Sequence, residues 1–132
     1  MTRRHRYAAL HDAELVSVGN EKRSGKVSIK VICSDDSEET LILHGVKTIR
    51  VVDFISQNVI SRVLHSEESK LDVDDLTRMV AWANSLSDGT CLISQDAIAN
   101  YVSQIQARVL KIIAVEPSWG AELVCIYGAG EG

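Results

Sequence analysis

The stretch KVSIKVICS, residues 26–34, decides the fold class of this chain. Apolar and polar side chains alternate along it, and its apolar positions are Val27, Ile29, Val31 and Cys33. This period of two is the pattern of a β-strand that buries one face. The polar stretch SDDSEE, residues 34–39, follows at once and has the composition of a hairpin loop. The sequence therefore predicts a half-buried strand that ends in a polar connection.

Similar apolar patterns on both sides of this strand predict a β-rich first half. Four further strands are expected there, at residues 13–20, 40–45, 47–54 and 59–65. In the first of them, strict alternation should place Val16 and Val18 on the face opposite to Leu15.

The last third of the chain returns to strands. VLKIIAV, residues 109–115, is apolar on both faces, which predicts a central strand. EPSWG, residues 116–120, contains the only proline and has the composition of a turn. AELVCIY, residues 121–127, then completes a C-terminal β-hairpin.

Between these groups of strands, apolar residues recur at helical spacing. The first predicted helix has an apolar stripe formed by Leu76, Met79, Val80, Ala83 and Leu86. Asp72 is its predicted N-cap, and Gly89 marks its predicted end. The second helix begins after the cap Ser94, and its apolar stripe is formed by Ala97, Ile98, Tyr101, Val102 and Ile105.

The order of these elements indicates an α+β fold. We expect a mostly antiparallel β-sheet of about six to seven strands, with two helices inserted before the C-terminal β-hairpin. The length of 132 residues fits a single domain over residues 1–132. Residues 1–9 are expected to form a flexible N-terminus and residues 128–132 a flexible tail.

Charge and composition exclude several classes of protein. The net charge of −4 argues against general nucleic-acid binding, because phosphates require a basic face. No apolar run reaches the ~18 residues of a transmembrane helix, so no membrane partner is expected. Cys33, Cys91 and Cys125 lie far apart without C-x-x-C spacing. They favour neither disulfides nor zinc, and the expected compartment is the cytoplasm.

Acidic residues are concentrated in three short segments, SDDSEE (34–39), SEES (66–69) and DVDD (72–75). Taken singly they are ordinary solvated loop tips, but together they form a surface suited to a basic partner. The candidate partner-binding residues are Asp35, Asp36, Glu38, Glu39, Glu67, Glu68, Asp72, Asp74, Asp75 and Trp119. Trp119 can be an aromatic anchor or fold back over the sheet edge, and Trp82 is a second candidate anchor.

LHDAEL, residues 10–15, is the clearest candidate for chemistry. On a strand, Asp12 and Glu14 share one face and His11 takes the other. Two carboxylates on one face can serve acid–base catalysis or bind a cation. Further ligands would have to come from His44, Asp53 or His65, whose spacing matches no metal motif. The sequence favours a structural role, in which Asp12 bonds nearby backbone N–H groups.

Nucleophilic and phosphate-binding chemistry have no motif in this chain. Cys33 and Cys125 continue apolar strand faces, so both are expected to be core residues. Cys91 has no histidine near it in sequence. The glycine-rich stretch 128–132 lacks the strand-to-helix context of a nucleotide-binding loop. No catalytic residue is predicted.

Four stretches of the chain together resemble a group of small bacterial domains. They are LHDAEL (10–15), LHGVKTIRVVDF (43–54), QNVI (57–60) and EPSWGAELVCI (116–126). The group includes immunity proteins of polymorphic-toxin and contact-dependent growth inhibition systems. The resemblance covers most of the chain in order, and it implies a protein that binds and neutralises a cognate toxin.

We therefore expect an immunity-type binding protein, not an enzyme, that neutralises a basic, nuclease-like toxin protein by occlusion. It needs no cofactor, and it is expected to be a monomer or a homodimer. The alternative is a small metal-dependent enzyme or ligand-binding domain that uses His11, Asp12 and Glu14 with His44 or Asp53.

Overall fold

The computed structural model describes residues 7–128. A short 3-10 helix, Tyr7–Leu10, precedes the first strand. The strands are β1 (Glu14–Glu21), β2 (Lys26–Ile32), β3 (Glu38–Leu43), β4 (Thr48–Val52), β5 (Val59–His65), β6 (Leu110–Trp119) and β7 (Glu122–Gly128). The helices α1 (Val73–Ala83) and α2 (Gln95–Gln106) lie between β5 and β6 in the chain.

These strands form one antiparallel sheet with the order β3-β2-β1-β5-β6-β7-β4. The helices precede the hairpin of β6 and β7, so the predicted α+β class is confirmed. The strand order departs from the chain order at β4, which pairs with β7 instead of its sequence neighbours. The loop 44–47 therefore carries the chain from one edge of the sheet to the other.

The inner face of the sheet encloses an apolar core. Leu41 of β3, Ile29 of β2 and Leu123 of β7 belong to one buried cluster, and Ile49 and Val51 of β4 pack against it. β3 and β4 are the two edge strands. Because both reach the same cluster, the sheet must be strongly curled, which is an extreme of the usual strand twist.

The outer face of the C-terminal strands is covered by the helices. α1 and α2 pack against β6 and β7 in a second buried cluster, whose members include Leu76, Val80, Ile98, Val102, Ile112, Ala114, Val124 and Ile126. On β6, Ile113 and Val115 face the inner core while Ile112 and Ala114 face the helices. This double burial explains the apolar residues on both faces of 110–115, and the place of β6 between β5 and β7 confirms the predicted central strand.

A β-bulge overturns the predicted facing of β1. The register between β1 and β2 shifts between Leu15 and Ser17, so Val16 is the extra residue. Leu15 is buried in the inner core and Val18 packs against the same core. The prediction that Val18 lies opposite to Leu15 is therefore wrong, because the bulge interrupts the period of two.

The predicted turn at residues 116–120 is mostly strand. Glu116 to Trp119 belong to β6 and continue to pair with β5. Pairing of β6 with β7 stops at Val115. Pro117, which has no N–H group to donate, therefore lies where β6 has a paired strand on one side only. The chain turns at Gly120, whose φ is 87°.

α1 ends at Ala83, six residues before the predicted stop at Gly89. Asn84 closes the helix, and its side-chain NH₂ group donates to the carbonyl oxygen of Val80 at 2.9 Å. Leu86 is 50% exposed and does not continue the apolar stripe. The predicted helix is too long because Leu86 matches the helical spacing by chance but lies beyond the helical turns that pack against the sheet.

Residues in both predicted flexible segments belong to regular elements of the fold. Tyr7 is buried in the inner core, although residues 1–9 were expected to be flexible. Gly128, in the predicted tail 128–132, is the last residue of β7 and pairs with Leu110. Residues 1–6 and 129–132 of these two segments lie outside the described residues.

Candidate functional site

Three connections meet at one end of the sheet. The β2–β3 loop (33–37), the β4–β5 loop (53–58) and the turn at Gly120 lie there, because antiparallel strands place alternate connections at the same end. We call this the aromatic end, because the exposed side chains of Phe54 and Trp119 are located on it. The β1–β2 and β3–β4 connections lie at the opposite end.

Large apolar side chains are exposed at the aromatic end. Trp119 is 61% exposed, Phe54 48% and Ile55 44%. Burial of such surface against a partner stabilises a complex by about 25 cal/mol for each Å² removed from water. Aromatic residues are also the type that most often dominates binding energy. The aromatic end therefore has the composition of an interface centre.

A row of paired residues joins Trp119 to the β2–β3 loop. Trp119 pairs with Val59, Val59 with Glu14, Glu14 with Ile32, and Ile32 with Glu38. Four strand spacings of about 4.8 Å place Trp119 within roughly 19 Å of Glu38 along this row. A standard interface covers about 800 Å² on each partner, a patch roughly 30 Å across. One partner can therefore contact both residues.

The amide of Asn58 holds the aromatic end together. Its Oδ1 accepts from the backbone N–H groups of Ile55 at 2.9 Å and Ala121 at 3.0 Å. Its Nδ2 donates to the carbonyl oxygens of Ile55 at 2.7 Å and Leu15 at 3.2 Å. Asn58 is only 2% exposed. It therefore fixes the β4–β5 loop, β1 and the turn beside Trp119 relative to one another.

The loops of the aromatic end are acidic. Residues 33–37 and 53–58 include Asp35, Asp36 and Asp53 and contain no lysine or arginine. Asp35 accepts from the Ser37 hydroxyl at 2.6 Å and from the Ser37 backbone N–H at 3.0 Å. These hydrogen bonds, the hydroxyl first, lower the pKa of Asp35. The loop thus presents the ionised Asp35 carboxylate in a defined turn, at the same end of the sheet as the exposed apolar side chains.

The structure does not bring all the predicted partner-binding residues together. Asp35, Asp36 and Glu38 share the aromatic end with Trp119 and are exposed. Glu39 is half-buried on the same strand face as the core residue Leu41. Glu67 and Glu68 follow the far end of β5 and therefore lie at the opposite end of the sheet. The three acidic segments do not form one continuous surface.

Asp72 and Asp75 have a structural role at the start of α1. The Asp72 carboxylate accepts from the Asp75 N–H at 2.8 Å, and the Asp75 carboxylate accepts from the Asp72 N–H at 3.1 Å. This reciprocal pair is a capping box, and Asp75 also binds Arg78 at 2.6 Å. The backbone bond from Asp72, followed by Arg78, lowers the pKa of Asp75. The ionised Asp75 carboxylate therefore stabilises the fold near neutral pH, and this stabilisation is lost when acid protonates it.

Replacement of Asp72 by alanine tests this role. We expect Asp72→Ala to lower the free energy of unfolding by about 1 kcal/mol, since the N–H of Asp75 loses its acceptor. Urea denaturation measures the change. Asp74→Ala, in the same helical turn but without a side-chain hydrogen bond among the described residues, is the matched control. Equal losses in the two variants would contradict the capping role.

Trp82, the second candidate anchor, is half-buried. The guanidinium of Arg50 lies 4.2 Å from the centre of its indole ring and donates to its backbone carbonyl oxygen at 2.9 Å. This cation–π contact occupies one face of the ring and attaches α1 to β4. Trp82 lies on the helical side of the sheet and not at the aromatic end.

The first residues of LHDAEL form a turn and not the strand that the chemical alternative requires. His11 and Asp12 lie in a turn before β1, and Asp12 has a φ of 67°. His11 Nδ1 donates to the carbonyl oxygen of Ser61 at 2.5 Å, and its Nε2 lies 3.5 Å from the Asp12 carboxylate. Glu14 begins β1. The arrangement that would place Asp12 and Glu14 on one strand face is therefore absent, because β1 begins only at Glu14.

The proposed additional ligands lie apart from this turn. The backbone of His44 meets Gly128 at the opposite end of the sheet. Asp53, at the aromatic end, follows the edge strand β4 and has a φ of 58°. Within residues 7–128, no three His, Cys, Asp or Glu side chains are placed to hold a metal ion.

His65 is buried in a hydrogen-bonded cluster. Its Nδ1 accepts from the N–H of Glu67 at 3.1 Å, so its Nε2 carries the proton and donates to the Tyr127 hydroxyl at 2.6 Å. Its ring also stacks on Tyr7 with centroids 4.6 Å apart. Both ring nitrogens are thus engaged, as is typical of a core histidine.

The cysteines are placed largely as predicted. Cys125 is fully buried, and burial raises the pKa of its thiol to about 12. Cys33 packs against the inner core. Cys91 is exposed. The thiol of Cys125 is therefore not available as a thiolate near neutral pH.

Sequence reasoning missed three residues of the aromatic end. Phe54 falls at the end of the predicted strand 47–54 and Ile55 has no predicted role, although both are exposed and follow an acidic residue, Asp53. Asn58 lies in the stretch QNVI, and no role is predicted for it from the sequence. An aromatic residue beside Asp53 in a polar connection was the available signal for this surface.

The fold and this surface together define a class: an α+β protein with a curled seven-stranded sheet and an acidic, aromatic patch at one end of its strands. Comparisons with protein-family models, with characterised proteins and with solved structures find no match for the chain. None of the helices in residues 7–128 has the length and apolar character needed to cross a membrane.

Proposed function

We propose that this protein is an immunity-type binding protein that neutralises a basic toxin protein by occlusion, and that the aromatic end is its contact surface. The observation that carries the proposal is the combination of exposed Trp119 and Phe54 with the acidic β2–β3 loop on one strand end. The immunity role itself rests on the resemblance of four stretches of the chain to that group.

The proposed contact has two parts with different physical effects. Trp119 and Phe54 would bury apolar surface at the centre, which slows dissociation. Asp35, Asp36 and Glu38 would attract a basic partner during approach, which speeds association at low salt. A nuclease toxin fits this arrangement because its substrate cleft is basic.

The biological role is tested by co-expression. The probe is the C-terminal domain of the protein encoded by the gene immediately upstream, expressed in a bacterial host. We expect that domain to stop growth when expressed alone and growth to be restored by this chain. If the domain is harmless, or if this chain neither restores growth nor binds it, the immunity role is wrong.

The contact surface is tested with Trp119→Ala. We expect the affinity for that domain to fall at least 30-fold, the effect of a binding hot spot, and to fall through faster dissociation. Surface plasmon resonance measures both rates. Trp82→Phe is the control, because Trp82 lies on the helical side of the sheet. Loss of affinity only in the Trp82 variant would place the contact elsewhere.

The steering role is tested by neutralising two carboxylates without changing side-chain size. The double variant Asp36→Asn, Glu38→Gln should slow association roughly three- to tenfold at low salt and flatten its salt dependence. The matched control, Glu67→Gln with Glu68→Gln, removes the same charge at the opposite end of the sheet. A larger effect in the control would show that the wrong acidic segment has been assigned.

A further inference from the structure

A cavity of about 380 Å³ lies between α1 and the outer face of the sheet, and neither Trp119 nor Phe54 lines it. Its floor is apolar and consists of Leu64, Ala114 and Val124 from the strands with Met79 and Trp82 from α1. This volume is within the range of about 300–1,000 Å³ that small-molecule sites occupy.

Most of the charges at the cavity wall are paired with one another. Arg62 of β5 binds Glu116 of β6 with 2.5 Å between Nε and Oε1. Arg78 binds Asp75 on α1 with 2.6 Å between the nitrogen and oxygen atoms. These pairs leave little net charge for a ligand. Lys70, on the loop before α1, is exposed at the rim.

Glu122 is the wall carboxylate without a partner. No described residue forms a hydrogen bond or ion pair with its side chain, which begins β7 on the outer face. Arg50 is the cation of β4 that acts on it, but the Arg50 guanidinium is held by the ring and carbonyl of Trp82. Burial, followed by the charge of Glu116, raises the pKa of Glu122.

We propose that this cavity binds a small organic cation, an ammonium group on an apolar body, with the Glu122 carboxylate pairing with the ammonium and the apolar floor holding the body. A half-buried carboxylate without a directly bonded cation is unfavourable in the empty protein, and a bound ammonium forms that ion pair. The paired arginines close the wall without competing for the ligand. This inference is independent of the proposed immunity role.

The proposal has a consequence for the empty protein. Because the folded-state pKa of Glu122 is raised, its contribution to stability is favourable at low pH and is lost as pH rises through that pKa. Glu122→Gln should therefore unfold at a slightly higher temperature than the wild type at pH 7. If the Glu122 carboxylate instead stabilised the empty fold, Glu122→Gln would unfold at a lower temperature than the wild type.

Three probes of similar shape separate charge from apolar burial: 2-phenylethylammonium, 2-phenylethanol and phenylacetate. At about ten times its dissociation constant, the ammonium should raise the melting temperature by about 3–5 °C, and the other two should raise it less or not at all. In Glu122→Gln, the ammonium should raise the melting temperature no more than the alcohol does. Glu21→Gln, at the opposite end of the sheet, is the control carboxylate. Leu64→Trp, which fills the cavity without changing charge, should abolish binding of all three.

The two tryptophans of the chain report where the probe binds. Trp82 lines the cavity and Trp119 does not, so titration should move the indole N–H signal of Trp82 in NMR spectra and leave that of Trp119 in place. Binding should weaken as pH falls through the raised pKa of Glu122, because protonation removes the counter-ion. Equal effects of the ammonium and the alcohol, or an unmoved Trp82 signal, would overturn the proposal.

Discussion

Asn58→Ala is expected to lower the free energy of unfolding by roughly 3–5 kcal/mol. The substitution removes all four hydrogen bonds of the buried amide and leaves two N–H groups, of Ile55 and Ala121, and two carbonyl groups without their partner. Each unsatisfied buried polar group costs about 1–3 kcal/mol, and water can recover part of that loss near the loop. Urea denaturation followed by circular dichroism measures the change.

A second asparagine provides the control for this variant. Asn100 lies exposed on α2, and Asn100→Ala should change stability by less than about 0.5 kcal/mol because alanine favours a helix and no bond is lost. Asn58→Ala should also weaken partner binding, since the turn beside Trp119 loses its anchor. A stability change equal to that of the control would show that the amide does not organise the aromatic end.

Gly120→Ala is expected to lower the free energy of unfolding by about 3–5 kcal/mol. Two effects add: Gly120 has a φ of 87°, which costs an L-residue about 1–2 kcal/mol, and a Cβ atom there would collide with its surroundings. The Cβ would lie 2.5 Å from Asn58 Oδ1, 2.9 Å from the Gln57 carbonyl oxygen and 3.0 Å from Asn58 Cα. Two of these atoms belong to the backbone and cannot rotate away.

Gly89→Ala separates the two effects. Gly89 has a φ of 90°, but nothing lies within 4 Å of a Cβ placed on it. This variant should therefore lose only the roughly 1–2 kcal/mol of backbone strain. The difference between the two alanine variants measures the cost of the collision with the Asn58 loop. Similar losses at both positions would mean that the β4–β5 loop moves freely and does not hold the turn.

Local sequence patterns predicted the fold class because the interactions that they reflect act between residues close to one another in the chain. Alternation over residues 26–34 predicted β2, and helical spacing with the caps Asp72 and Ser94 predicted both starts of α1 and α2. These signals express which side of an element is buried. They failed where contacts from elsewhere intervene, as in β1, where the bulge at Val16 breaks the alternation.

The candidate site was predictable in part. Trp119 and the acidic residues 35–38 could be selected from residue type, because exposed charge and aromatic character are properties of the residues themselves. The sequence could not show that these residues lie at one end of the strands, or that Glu67 and Glu68 lie at the other end. Glu122 had no signal at all, since its lack of an ion-pair partner depends on Arg50, Arg62 and Arg78 binding Trp82, Glu116 and Asp75 instead.

The sequence by itself determined the α+β class, the starts of the helices and the half-buried character of most strands, because hydrophobic period and capping are local properties of the chain. Only the tertiary structure decided that β4 pairs with β7, that β6 extends through Pro117, and that Asn58 joins three segments. Those features depend on contacts between residues far apart in the chain, and such contacts are chosen by the packing of the whole core around them.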